Sequence, residues 1–176
     1  MAAARSTSDT EHPAHTKPMS NRTAAIRITR RLELAPERVF RAWLDPRLAK
    51  VWLFATAARP MTSVAIDPRV AGAFRLVDRA DREPITYSGE YLEIVPPRRL
   101  AFTLSAEHHP RAVTRVRVEI VPLAKGCDLT VTNEDVPPLY ARRTEARWMG
   151  ILYGLEQTLR AGDPTPGSAA STRSKR

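Results

Sequence analysis

Cysteine is almost missing from this chain: Cys127 is the single one in 176 residues. One thiol cannot close an internal disulfide, which excludes a small scaffold held together by cross-links. Long hydrophobic runs are missing as well. The apolar stretches are a few residues long, against the ~20 that a membrane-spanning helix needs. The opening segment, MAAARSTSDTEHPAHTKPMSNR, has no apolar centre of the kind a secretory signal carries, so a cytoplasmic location is the expectation. Glycine is scarce, with seven residues scattered along the chain. No GxSxG, P-loop or GxGxxG pattern can be read, and no cofactor is expected. Histidine is equally sparse. His12 and His15 lie in a polar segment, and His108 and His109 are neighbours whose side chains point apart, so no metal site is expected.

Lysine is the scarce cation. Four lysines accompany 24 arginines among the 28 basic residues, and the formal charge is +9. The arginines are dispersed. Pairs such as Arg30-Arg31, Arg98-Arg99 and Arg142-Arg143 never grow into the run of about five to eight that marks a nucleic-acid patch. The charge therefore implies only non-specific attraction to polyanions.

What is present is patterned. With 43% hydrophobic residues the chain can bury a core. Residues 1–21 and 162–176 lack periodicity and are expected to be mobile tails around one domain, 22–161. Ala24, Ile26, Ile28, Leu32 and Leu34 alternate with polar residues, which predicts a long half-buried strand. Pro36 then opens a helix with Val39, Phe40, Trp43 and Leu44 on one face. Asp45 can cap a second short helix carrying Leu48, Val51 and Trp52. Strands are predicted over 61–67, 72–78, 85–95, 98–106, 112–121 and 127–135, joined by hairpin-length connections, so the sheet is antiparallel. Gly89 is expected to mark a bulge or bend. Trp148, Ile151, Leu152, Leu155 and Leu159 form one apolar stripe on a helix expected from about Pro138 to Arg160. A bent antiparallel sheet covered by one long helix buries both faces. A helix about 10 Å across cannot fill a wide curved sheet, so large side chains or a ligand must fill the rest.

This order, together with APERVFRAWLDPRLAKVW (35–52), VAGAFRL (70–76), SGEYLEIVPPRRLAFT (88–103), VTRVRVEIVPLAKGCDLTVTNE (113–134) and the Trp148 helix, resembles the helix-grip proteins of the START and birch-pollen-allergen type, the SRPBCC superfamily. Within it the chain looks most like bacterial relatives of the activator of the 90-kDa heat-shock protein ATPase. The resemblance spans about 23–160 and implies an α+β helix-grip fold. Family members commonly carry two tryptophans where this chain has Trp52-Leu53, and two glycines where it has Ala71-Gly72. The first departure is expected to alter a pocket mouth, the second to make the turn before Phe74 less permissive.

Several residues are candidates for a site. Arg30 falls on the apolar side of its strand. Either it holds a ligand's carboxylate or phosphate in an apolar cavity, or, more simply, it reaches an edge or pairs with an acid such as Glu90 or Glu93. Tyr87 and Tyr91 share a parity, with Gly89 leaving space between them. They either rim a pocket or close the sheet. Trp52, Phe54, Phe74, Phe102 and Trp148 supply aromatic bulk, with Leu152 and Leu155 beside them on the helix. Phe102 and Trp148 fit core positions, whereas Trp52 and Phe54 fit a lid. Cys127 reads as a small core residue. Asn133-Glu134-Asp135 could hold acid–base groups, but a carboxylate there fits a helix cap better. The expected function is non-enzymatic binding of a small apolar or amphipathic molecule between sheet and last helix. The alternatives are co-chaperone-like binding of a protein partner, through the arginine-lined strand 113–121, and a polyketide-cyclase-like enzyme.

Overall fold

The computed structural model describes residues 23–55, 60–78, 84–107 and 113–162. The expected tails and His12, His15, His108 and His109 lie outside them, apart from Gly162 at the helix end. The elements follow the expected order. Strand β1 (Ala24–Leu32) is followed by helices α1 (Pro36–Leu44) and α2 (Pro46–Trp52). Strands β2 (Ser63–Ile66), β3 (Ala73–Asp78), β4 (Ile85–Val95), β5 (Arg99–Ala106), β6 (Thr114–Pro122) and β7 (Cys127–Val136) come next, then helix α3 (Ala141–Ala161). The sheet has seven strands in the order β1-β7-β6-β5-β4-β3-β2, every neighbour antiparallel. Strands β2 to β7 form a meander, and β1 closes onto the last strand. This is the helix-grip arrangement expected from the sequence.

Local signals explain most boundaries. Pro36 and Pro46 each open a helix, where a missing N–H costs nothing. Asp45 caps α2 by accepting a hydrogen bond from the Arg47 backbone N–H at 2.9 Å. The last helix starts later than its pattern suggested. Pro138–Tyr140 winds as a 3₁₀ turn, with the Tyr140 N–H donating to the Pro137 carbonyl, and the α-helix begins at Ala141.

Gly89 marks a close approach, not a bulge. The β4–β5 register runs unbroken past it and shifts between Tyr91 and Glu93. A Cβ at Gly89 would run into the Thr103 carbonyl oxygen and lie 2.7 Å from the Phe74 ring. The space expected there for a ligand is occupied by Phe74.

The concave face of the sheet is packed by aromatic rings. Trp43, Trp52 and Trp148 are all essentially inaccessible to solvent. Trp43 meets Trp52 edge-on at 4.8 Å and leans toward Phe102 and Trp148 at 6.2 and 6.3 Å. Phe74, Tyr91 and Phe102 form a second cluster with centroids 5.5 to 6.2 Å apart. From α3, Leu152 and Leu155 are completely buried against these rings. Each such leucine contributes roughly 1.5–3 kcal/mol of hydrophobic burial. The gap lined by Trp43, Phe74, Tyr91 and Phe102 is about 10 Å³, at the lower limit for one water.

Candidate functional site

Open space survives at one end of the grip. There the start of β4, the end of β5, the start of β6 and the end of β7 face the first turns of α3. A cleft of about 140 Å³ lies between them. Leu104, Ala106 and Val136 wall it from the sheet, and Trp148 forms its inner end. Phe54, just beyond α2, stacks on Tyr87 with centroids 4.5 Å apart and rings 15° from parallel. Phe54 takes a left-handed backbone, φ 58°, which few non-glycine residues adopt. This conformation turns its ring back over the cleft, beside Trp148 at 5.7 Å.

Two polar groups stand out in the apolar lining. Asn133 is 3% exposed, and its Oδ1 is buried with no hydrogen-bond partner. Strand parity explains its position: Cys127, Leu129, Val131 and Asn133 all point inward from β7. A buried carbonyl oxygen without a donor costs about 1–3 kcal/mol, and a donor that reaches it from the cleft would remove that cost. The second group is Arg147. Its guanidinium donates a hydrogen bond to the Tyr87 hydroxyl. It also lies over the Phe54 and Tyr87 rings, 5.2 and 4.9 Å from their centroids. A groove of about 290 Å³ adjoins the cleft, sharing Tyr87, Ala106, Tyr140, Thr144 and Arg147 with it and adding Ile85 and Arg143.

The residues expected from the sequence divide into two groups. Phe54, Tyr87 and Trp148 line the cleft. Trp52, Phe74, Tyr91, Phe102, Leu152 and Leu155 do not; they are core. Trp52 is no lid, because its indole N–H donates to the Ala42 carbonyl at 3.2 Å in the interior. Burial pushes the Tyr91 hydroxyl up from its ordinary pKa, so it stays protonated. Leu53 is buried beside Trp43 and Phe74, away from the cleft mouth that its replacement of tryptophan was expected to alter.

Arg30 does pair with an acid, but with neither Glu90 nor Glu93. Its Nε donates to Glu156 Oε2 at 2.7 Å, and Glu156 also accepts from Arg160. Arg30 lies on β1, the sheet edge under the later turns of α3, far across the sheet from β4. Glu93 is taken by Arg99 instead. Arg30 is therefore a tie between sheet edge and helix. Glu134 pairs with Arg117 on the outer face, Asp135 is exposed, and no side chain caps α3, so the expected cap is not there. Cys127 is buried, and burial, then the nearby Asp128 and Glu37 charges, push its thiol up from its ordinary pKa. That is the opposite of an activated nucleophile.

Arg147, Asn133 as an inward group and Trp43 as the aromatic hub were missed from the sequence. Asn133 could have been found by carrying the β7 alternation two residues further. Arg147 sits one position from Trp148 on the border of the apolar stripe, where a helical pattern counts it as solvent-facing. Among the described residues no cluster of His, Cys, Asp and Glu could hold a metal, and no helix is long and apolar enough to cross a membrane.

A seven-stranded curved sheet gripped by one long helix, with an apolar cleft at one end, places the chain in the helix-grip class of the SRPBCC superfamily. Within that class it belongs to the activator of Hsp90 ATPase homolog 1-like family, whose model matches residues 33–160. A Chromobacterium violaceum protein, CV1439, is 28% identical with a TM-score of 0.67, and the match covers 76% of this chain and 96% of that one. An Aeromonas hydrophila protein of the same family name is 23% identical with a TM-score of 0.67, covering 78% of this chain and 93% of that one. DynU16, from the dynemicin biosynthetic locus, shares the fold at 20% identity and a TM-score of 0.64, covering 80% of this chain and 48% of that one. No curated protein matches the chain significantly.

Proposed function

We propose that the protein binds a small apolar or amphipathic molecule, without chemistry, in the cleft between the sheet and the first turns of α3. The observation that carries this reading is the cleft itself: apolar walls with one buried, unpartnered acceptor, Asn133 Oδ1. Pockets of this composition take affinity from apolar burial and orientation from a few polar groups. Those groups argue for binding over catalysis. An amide does not ionise, so Asn133 orients a guest and does not move protons.

The test is titration with an environment-sensitive apolar dye, read by dye emission and by tryptophan fluorescence. Saturable one-site binding is expected. Ala106→Phe, which plugs the cleft, should abolish it while the thermal melt stays cooperative. Equal dye binding by the plugged, folded variant, or no saturable binding by the parent, would overturn the proposal.

A further inference from the structure

We infer that the occupant is a one-ring organic acid carrying a hydrogen-bond donor, its ring in the cleft and its acid group at Arg147. This deepens the binding reading and rests on it. Size sets the ring count. A cavity of about 150 Å³ holds one benzene; this cleft is about 140 Å³ and opens onto the groove of about 290 Å³, so the cleft takes one ring and the groove the acid group. Its flat aromatic walls, Phe54 stacked on Tyr87 with Trp148 at the inner end, suit a planar guest.

Charge sets the acid. Among the described residues Arg147 has no carboxylate partner, in contrast to Arg30, Arg31 and Arg117, each of which pairs with an acid. Its stacking on Phe54 and Tyr87 holds the guanidinium plane at the junction of cleft and groove. Arg143, one turn earlier, lines the same groove. No carboxylate is found among the described residues lining cleft or groove. Two guanidinium groups facing a space with no acid among its described lining residues attract an anion, and arginine grips a carboxylate through two parallel hydrogen bonds.

Asn133 sets the donor. Asn133 lines the cleft and its Oδ1 is buried without a partner, so a ring hydroxyl or N–H that reaches it would complete it. Thr114, also in the lining, spends its hydroxyl on the Leu104 carbonyl.

Calorimetric titration of the full chain with 4-hydroxybenzoate, benzoate, 4-hydroxybenzamide and decanoate tests this, with the apolar dye in parallel. The hydroxy acid should bind tightest. Benzoate should lose affinity for want of the donor. The uncharged amide should bind roughly ten- to a hundredfold more weakly, the range for a hydrogen bond to a charged group. Arg147→Met should erase the advantage of acid over amide, and Asn133→Leu the advantage of hydroxylated over plain ring. Arg147 is exposed, so its variant should fold, and a thermal melt checks both. An amide that binds as tightly as the acid overturns the anion assignment and leaves the binding reading standing. Decanoate or dye binding without either aryl acid overturns the one-ring assignment alone. If dye, decanoate and aryl acids all fail to bind, the underlying reading falls.

Discussion

Ala71 holds a backbone φ of 62°, where its Cβ crowds the following carbonyl and glycine would not. The flanking bonds explain why it stays there. The Ala71 N–H donates to the Tyr91 carbonyl at 2.8 Å and the Tyr91 N–H to the Gly72 carbonyl at 2.9 Å, so the turn is pinned to β4. Ala71→Gly, which restores the glycine expected from the family resemblance, should relieve about 1 kcal/mol of strain, less what glycine's freedom costs in the unfolded chain. A small rise in the denaturant midpoint without a change in slope would show it; a fall would mean the strain is not there. Cys127 is the second residue with a direct readout. It is inaccessible, and its thiol is pushed up by burial. Labelling by a thiol reagent should therefore proceed at the rate of global unfolding, rising in step with added denaturant. Fast labelling of the native protein would contradict this burial.

At the scale of the element, α2 depends on its first residues. Asp45 accepts from the Arg47 backbone N–H and from the Arg47 guanidinium, at 2.9 and 3.1 Å. Burial works to raise its pKa, but the hydrogen bonds and charge of Arg47 together outweigh it, and the carboxyl sits below its ordinary value. The sign follows: this contribution is present above the unfolded carboxyl's pKa, about 4, and is lost as pH falls through the lower folded value. Asp45→Ala should cost about 1 kcal/mol at pH 7. The gap between parent and variant should narrow on acidification below about pH 4. Circular-dichroism melts across that range would measure it, and a gap independent of pH would place the effect in packing. Asp45 was legible as a cap because capping depends on near neighbours. Arg30 was not legible in the same way. Its parity showed that it pointed inward, but its partner, Glu156, is 126 residues away and only β1 docking beneath α3 brings them together.

For the whole molecule, the question is where the grip stays open. Trp43 of α1 inserts between Trp52, Phe102 and Trp148 and closes the middle. The open end is left to residues from five different elements and the segments beside them. A guest bound there should stabilise the entire fold, because it contacts β4, β5, β7 and α3 at once. At a hundredfold excess over its Kd, a ligand adds about 2.7 kcal/mol to stability. A saturating aryl acid should accordingly raise Tm by several degrees in the parent and not in Ala106→Phe. An equal rise in both would locate the binding elsewhere.

The amino-acid sequence by itself determined the strand alternation, the helix starts at Pro36 and Pro46, the stripe on α3 and therefore the order of elements. Those signals are local, set by two- and 3.6-residue periods and by backbone chemistry. Three cleft residues, Phe54, Tyr87 and Trp148, were also readable as inward or boundary aromatics. Only the tertiary structure decided that Trp52, Phe74, Tyr91 and Phe102 fill the hollow while Asn133 and Arg147 face what remains. Inward parity says that a ring points to the interior. Whether that interior is full depends on how rings from distant segments interlock, and no local period carries that information.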